Sequence, residues 1–164
     1  MSWRGSTTVP DRIFACLPYL MPLMEGILRF SGPFFQQFPA LKIILLPLQP
    51  LLGIYLSISY ALPFGSLILF LLLYFLVVRN DNISHFIRFN TMQAILIDIC
   101  LFLCSLIFGF ILEPILKTSF LMETLINTVF LGVLAAFIYS VVQSCLGRYA
   151  EIPTLSDAVY MQVR

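Results

Sequence analysis

Charge is what this sequence has least of. Of its 164 residues 9 are Lys or Arg and 8 are Asp or Glu, 10% in all. There is no basic field, so binding to nucleic acid has no electrostatic footing. Histidine occurs once, at His85, which leaves no pair of imidazoles for a metal or a relay. The four cysteines, Cys16, Cys100, Cys104 and Cys145, sit in or beside apolar stretches and lack the spacing of a secreted disulfide framework. Cys100 and Cys104 are i, i+4 on one helix face, as a metal pair would be. No acidic ligand flanks them, so the spacing reads as small-residue packing. No nucleophile-plus-base set, Gly-rich phosphate loop or His/Cys/Asp cluster is found. No catalytic residue, metal site or cofactor is therefore expected, and the chain does not read as an enzyme. Internal repeats and low-complexity tracts are absent as well.

Apolar side chains are abundant instead. They make up 60% of the sequence, and the mean hydropathy is +1.00. A water-soluble domain of this size cannot hide so much apolar surface, because small proteins leave a large share of their residues exposed. Lipid is the expected solvent. The fold class expected is an all-α integral membrane protein with transmembrane helices at 41–59, 64–78, 92–112 and 124–146, the lengths a bilayer asks for. Residues 12–30 read as an additional N-terminal amphipathic helix, interfacial or partly inserted. Their apolar positions recur at helical spacing with Arg12, Glu25 and Arg29 among them. Pro18 and Pro22 would cost an isolated helix about 3 kcal/mol each. An apolar run after Arg4 and Arg12 superficially resembles a signal peptide, but the prolines, Glu25 and the missing small-x-small site speak against one. A polar connector is expected at 31–39, a turn at 60–63, a loop at 79–91 and a water-compatible tail at 147–164.

The basic residues orient this arrangement. Four crossings with both ends inside place Arg4, Arg12, Arg29, Lys42, Arg79, Arg88, Arg148 and Arg164 on one side and Lys117 alone on the other, beside Glu113 and Glu123. Eight of nine basic residues on one side is a positive-inside pattern. A fifth crossing at 12–30 would move Arg4 and Arg12 outward and weaken it.

The polar residues inside the spans are few: Gln49, Asp98, Ser105 and Asn127 are the pathway candidates. Asp98 is the acid set deepest in a strong span, so it should face the bundle or water. Either it belongs to a pathway, or it is an acid near a helix end bonded to a neighbouring helix. Ser105, seven residues on, shares its face. Gln49 should need a partner inside the bundle, with Pro47 and Pro50 kinking its helix. Gly132, Ala136, Ser140 and Ser144 repeat every four residues, as do Gly53 and Ser57, and small residues so spaced let membrane helices approach closely. In the 79–91 loop, Arg79, His85, Phe86, Arg88 and Phe89 form a candidate contact surface for headgroups or a partner, the phenylalanines serving as apolar anchors between charges.

The stretch YFLVVRNDNISHFIRFNTMQAILID (74–98), with FPALKIILLPLQPLLGIY before it, resembles the Tic-twenty family, the twenty-kilodalton subunit of the chloroplast inner-envelope protein translocon, and its cyanobacterial homologues. RIFACLPYLMPLMEG, ETLINTVFLGVLAAFIYSVVQSCLG and RYAEIPTLSDAVYMQVR are also similar to that family, so the likeness runs through nearly the whole chain. It implies a four-helix membrane protein with both termini on the stromal or cytoplasmic side, in the plastid inner envelope or a cyanobacterial membrane. It also implies a role in preprotein movement, alongside other translocon subunits, preprotein chains, lipids and further copies of itself, and with no nucleic acid. No active-site residue carries over. A non-conducting assembly scaffold and a small transporter or ion channel are the alternatives. Four helices are too few to enclose a peptide-wide pore, so conduction would need oligomers or partners.

Overall fold

In the computed structural model the chain is helical, with no strand among the described residues, which are 7–61, 65–117, 119–153 and 155–163. Arg4, Arg164, positions 62 and 63 of the expected 60–63 turn and the first position of the expected 64–78 span lie outside them. Helix α1 covers Val9–Phe30 and α2 Gly32–Gln37. Helix α3 winds as a 3-10 helix over Pro39–Leu48 and runs on as an α-helix over Gln49–Ala61. Helices α4 (Gly65–Val78), α5 (His85–Leu116), α6 (Phe120–Cys145) and α7 (Leu155–Gln162) follow. Val9–Phe30, Pro39–Ser59, His85–Leu116 and Phe120–Cys145 are long and apolar enough to cross a membrane, and Gly65–Val78 is shorter. The number agrees with the sequence reading; by length Val9–Phe30 is among the four, and Gly65–Val78 is short for a crossing.

Local chemistry explains how α1 forms despite its prolines. Thr8 caps it reciprocally with Asp11: the Thr8 backbone N–H donates to Asp11 Oδ2 at 2.9 Å, and the Asp11 N–H donates to Thr8 Oγ1 at 3.3 Å. Pro10 sits in the first turn, where its missing N–H is harmless. Pro18 falls in a tightened 3-10 turn, Leu17–Tyr19, which absorbs the lost hydrogen bond without ending the helix.

The helix is amphipathic, as expected, but its inner face lies on protein rather than on a bilayer surface. Ala15, Tyr19, Leu23, Met24, Ile27 and Phe30 are buried, while Val9, Ile13, Phe14 and Leu17 point outward. Of its best apolar window 61% is buried inside the chain, against 6% for Pro39–Ser59. Its neighbours fix its direction. Tyr19 meets Asn90, and Phe30 meets Phe108 with ring centroids 5.8 Å apart, so α1 and α5 run parallel. Arg12 meets the end of α6 at Cys145, and Phe34 and Phe35 beyond α1 meet Phe130, so α1 and α6 run antiparallel. The starts of α1 and α5 and the end of α6 therefore share one end of the bundle.

That end is more ordered than a loop and a tail would be. Residues 85–91, expected as loop, begin α5: Asn90 Nδ2 donates to the Phe86 carbonyl at 2.8 Å and Thr91 Oγ1 to the Ile87 carbonyl at 2.8 Å, so these polar side chains are satisfied within the helix. Helix α6 stops at Gly147, whose φ of 71° suits glycine. Beyond it the tail folds back, and Val159 and Val163 of the α7 segment are buried with Val78, Phe89, Met92 and Ile95. The tail is part of the bundle rather than merely water-compatible.

Gly26 sets the spacing between α1 and α6. A Cβ there would come within 2.8 Å of Val133 Cγ1, and the β-branched Val133 has little rotamer freedom to yield. Gly26→Leu should push the helices apart and destabilise the protein by about 1–3 kcal/mol. Gly53→Ala, at a position with nothing within 4 Å, should be neutral or stabilise slightly. Thermal melting in detergent checks both; equal losses would mean that the α1–α6 approach is not limiting.

Candidate functional site

Two polar layers cross the bundle, and they differ in kind. The first joins Tyr19 of α1, Asn90 of α5 and Ser144 of α6. The Tyr19 hydroxyl donates to Asn90 Oδ1 at 2.9 Å, and Ser144 Oγ donates to the same oxygen at 3.1 Å. All three side chains are fully buried. One turn further along α5, Gln93 Oε1 accepts from Ser156 of α7 at 3.4 Å, which ties the tail to the same layer. The Asn90 amide, with its oxygen bonded to Tyr19 and Ser144 and its nitrogen to the Phe86 carbonyl, is a lock on helix register rather than a reaction centre.

The second layer is charged and open. Glu25 and Arg29 stand one turn apart on α1, and Arg29 Nε donates to Glu25 Oε2 at 2.5 Å. Tyr55 of α3 donates its hydroxyl to Glu25 Oε1 at 2.6 Å. Both oxygens of Glu25 are thus engaged, and its side chain is only 10% exposed against 45% for Arg29. Asp98 of α5 faces the same space. Glu25, Arg29, Asp98, Ser66, Phe70 and Phe102 are among the lining of a cleft of about 270 Å³ between α1, α4 and α5. Its flanking Leu67 and Phe102 are exposed on the outside of the bundle, so the cleft opens toward the membrane side of the chain. A few convergent polar groups in an otherwise apolar hollow make this the candidate site.

The sequence-predicted residues distribute unevenly around it. Asp98 is among its lining. Ser105 turns back on its own helix, donating to the Phe102 carbonyl at 2.7 Å. Gln49 is exposed rather than partnered inside the bundle, because the 3-10 winding and low burial of this part of α3 leave it on the outside. Asn127 is half-buried on α6, away from the cleft lining. Of the small-residue series, Ser140 and Ser144 are buried, Ala136 is half-buried, and Gly132, Gly53 and Ser57 are exposed with open space at both glycines. Close approaches fall instead at Gly26, between α1 and α6, and at Gly65, against the end of α3, both outside either series.

The expected contact surface at 79–91 is largely used up internally. Phe86 and Phe89 are buried, packed edge-on against Tyr149 with centroids 5.2 and 4.9 Å away, because the returning tail covers them. They are not outward anchors. His85 Nδ1 lies 3.0 Å from the Tyr149 hydroxyl, and Arg88 bonds the Val78 carbonyl at 2.9 Å and Asp81 at 3.0 Å. Arg79 remains exposed. Among the described residues no group of three or more His, Cys, Asp and Glu could hold a metal. What the sequence reading missed is that Glu25, Arg29 and Tyr55 are the companions of Asp98. The i, i+4 Glu25–Arg29 spacing was the available signal.

A family model described as "Chloroplast import apparatus Tic20-like" matches residues 7–159. The chain belongs to the Tic20 family. A "Tic20 family protein" from Synechocystis sp. is 53% identical over 154 residues, 94% of this chain and 93% of that protein. The "Tic20 family protein Ycf60" of Gracilaria tenuistipitata var. liui is 36% identical, covering 95% of this chain and 76% of its own. "Protein TIC 20-v, chloroplastic" of Arabidopsis thaliana is 32% identical, covering 96% and 73%. The Tic20 match takes in both polar layers, so the cleft lies in the body of the family's domain. The family's description names import apparatus rather than an enzyme.

Removing Arg29 would leave two carboxylates facing each other. Arg29→Ala should lower stability by about 1–3 kcal/mol. Adding Asp98→Asn to it should recover part of the loss, since one like charge is gone. Melting of the single and double variants in detergent checks this; strictly additive losses would show that the two acids do not sense each other.

Proposed function

We propose that this chain is a membrane subunit of a preprotein translocon, forming or supporting a polypeptide-conducting path across the plastid inner envelope or a cyanobacterial membrane. The observation that carries the reading is the Tic20 family match over residues 7–159, together with relatives on both the cyanobacterial and the chloroplast side. The architecture supports a path made with other chains. Tyr19, Phe89, Ile95 and Phe130 fill the interior of the bundle with fully buried side chains. An extended polypeptide would pass beside the bundle, between copies of it or against partner subunits. The outward side chains of α3, with Ile43, Ile44 and Leu46 exposed, provide surface for lipid or for such neighbours.

We place both termini on the stromal or cytoplasmic side, because Arg12, Arg79, Arg88 and Arg148 gather at the end of the bundle that holds the starts of α1 and α5 and the end of α6, while Lys117 lies at the far end of α5. Asp98 and its cleft are the reason to keep a small-transporter reading as the second choice, since ionisable groups inside membrane segments tend to mark transport pathways.

Two measurements test these readings. Single cysteines at Asn82 and Lys117, in a background without native cysteines, should react with an impermeant thiol reagent from opposite faces of oriented membranes; reaction of both from one face would sink the topology. Depleting the protein should reduce the accumulation of proteins that cross its membrane, and a photo-crosslinker at the exposed Leu67 should capture a precursor arrested in transit. Undiminished transport after full depletion, with lipid alone captured, would turn the reading toward a scaffold or a small transporter.

A further inference from the structure

The charged cleft holds one unmatched acid. Glu25 is saturated by Arg29 and by the Tyr55 hydroxyl. Asp98 accepts no hydrogen bond among the described residues, and its Oδ1 is sealed from solvent. Facing it from the packed elements are Glu25 and Arg29 on α1, Tyr55 on α3 and Ser66 on α4. With Asp98 ionised, two carboxylates face one guanidinium and the cleft is short of one positive charge. An unmatched carboxylate beside hydrocarbon is costly, so Asp98 either keeps a proton or gives it up to hold a cation brought there.

The surroundings narrow its identity. Calcium and magnesium ions take six or more oxygen ligands and zinc at least three protein ligands, and no group of three or more His, Cys, Asp and Glu that could hold a metal occurs among the described residues. A guanidinium spreads five N–H groups over a plane and would leave several of them against apolar walls, whereas an ammonium is a compact charge on a flexible alkyl stem. Leu67, Phe70 and Phe102 line the cleft and suit such a stem.

We propose that the cleft binds one primary ammonium group carried on an alkyl chain, with its nitrogen at Asp98 and its stem along Leu67, Phe70 and Phe102. The same chemistry is carried by a lysine of an extended polypeptide and by the amine headgroup of a lipid. The site does not depend on the chain's conducting polypeptide, so its failure would leave the translocon reading standing, and the reverse.

The full chain in nanodiscs of phosphatidylcholine, whose headgroup cannot form an amide, provides the test. Dicyclohexylcarbodiimide activates a carboxyl group, which then joins a seated primary amine as an amide or, with none in place, rearranges to an N-acylurea. In one arm the probe is an N-acetylated apolar peptide with a single lysine, compared with the same peptide carrying norleucine. In the other, phosphatidylethanolamine is added to the discs without peptide. Mapped by mass spectrometry, an amide should form at Asp98 in at least one arm, and the arm that gives it identifies the source. The norleucine peptide should give none. Asp98→Asn should lose the adduct, and in the unaltered protein butylammonium present before the carbodiimide should compete for the activated Asp98, replacing the peptide or lipid amide by its own butylamide in proportion to its concentration, a check that does not depend on how the variant folds. An N-acylurea alone in both arms, an unreacted Asp98, or amides spread equally over Glu113 and Glu123 would overturn the proposal.

Discussion

Hydrocarbon offers no hydrogen bonds, so a polar group taken into the bundle is costly unless it finds a partner on another helix or on its own backbone. The fold turns on how α1 meets that requirement. Tyr19 reaches Asn90 on α5, and Ser144 on α6 reaches the same amide oxygen, so one buried residue aligns three helices. Slipping any of them by a turn would leave a phenol, an amide or a hydroxyl unpaired in an apolar interior. Packing then follows that register. Gly26 lets Val133 approach, Phe30 meets Phe108, and Phe34 and Phe35 close on Phe130.

The same register carries Glu25 and Arg29 to the level of Asp98. Along α1 the two layers lie six residues apart, Tyr19 to Glu25, and along α5 eight apart, Asn90 to Asp98, so two parallel helices present both layers to each other. The contrast between the layers is informative. The Tyr19–Asn90–Ser144 layer is closed and buried, which suits a structural role. The Glu25–Arg29–Asp98 layer has a half-exposed guanidinium and an apolar mouth, and it retains an acid that the protein does not satisfy. Natural membrane proteins keep such expensive groups where they serve a function.

Much of this was legible in the sequence. Apolar content and block lengths determined that the chain is an all-helical membrane protein, and the motif around VVRN and FIRFNTMQAIL determined its family. Both are properties of composition and local order, which need no tertiary contact to be read. Asp98 was likewise visible as an acid too deep in a span to be indifferent. Tertiary structure alone decided which helix is central. Hydropathy averages every side chain of a segment, so α1, which carries Arg12, Glu25 and Arg29, has the lowest value of the four long helices although it is the most buried of them. It decided too that Phe86 and Phe89 face the returning tail, since period and composition cannot tell a surface anchor from one that a distant segment covers. And it decided that Asp98 has companions: Glu25, Arg29 and Tyr55 lie 43 to 73 positions away along the chain, and only helix packing, which places side chains by register rather than by sequence distance, brings them to one cleft.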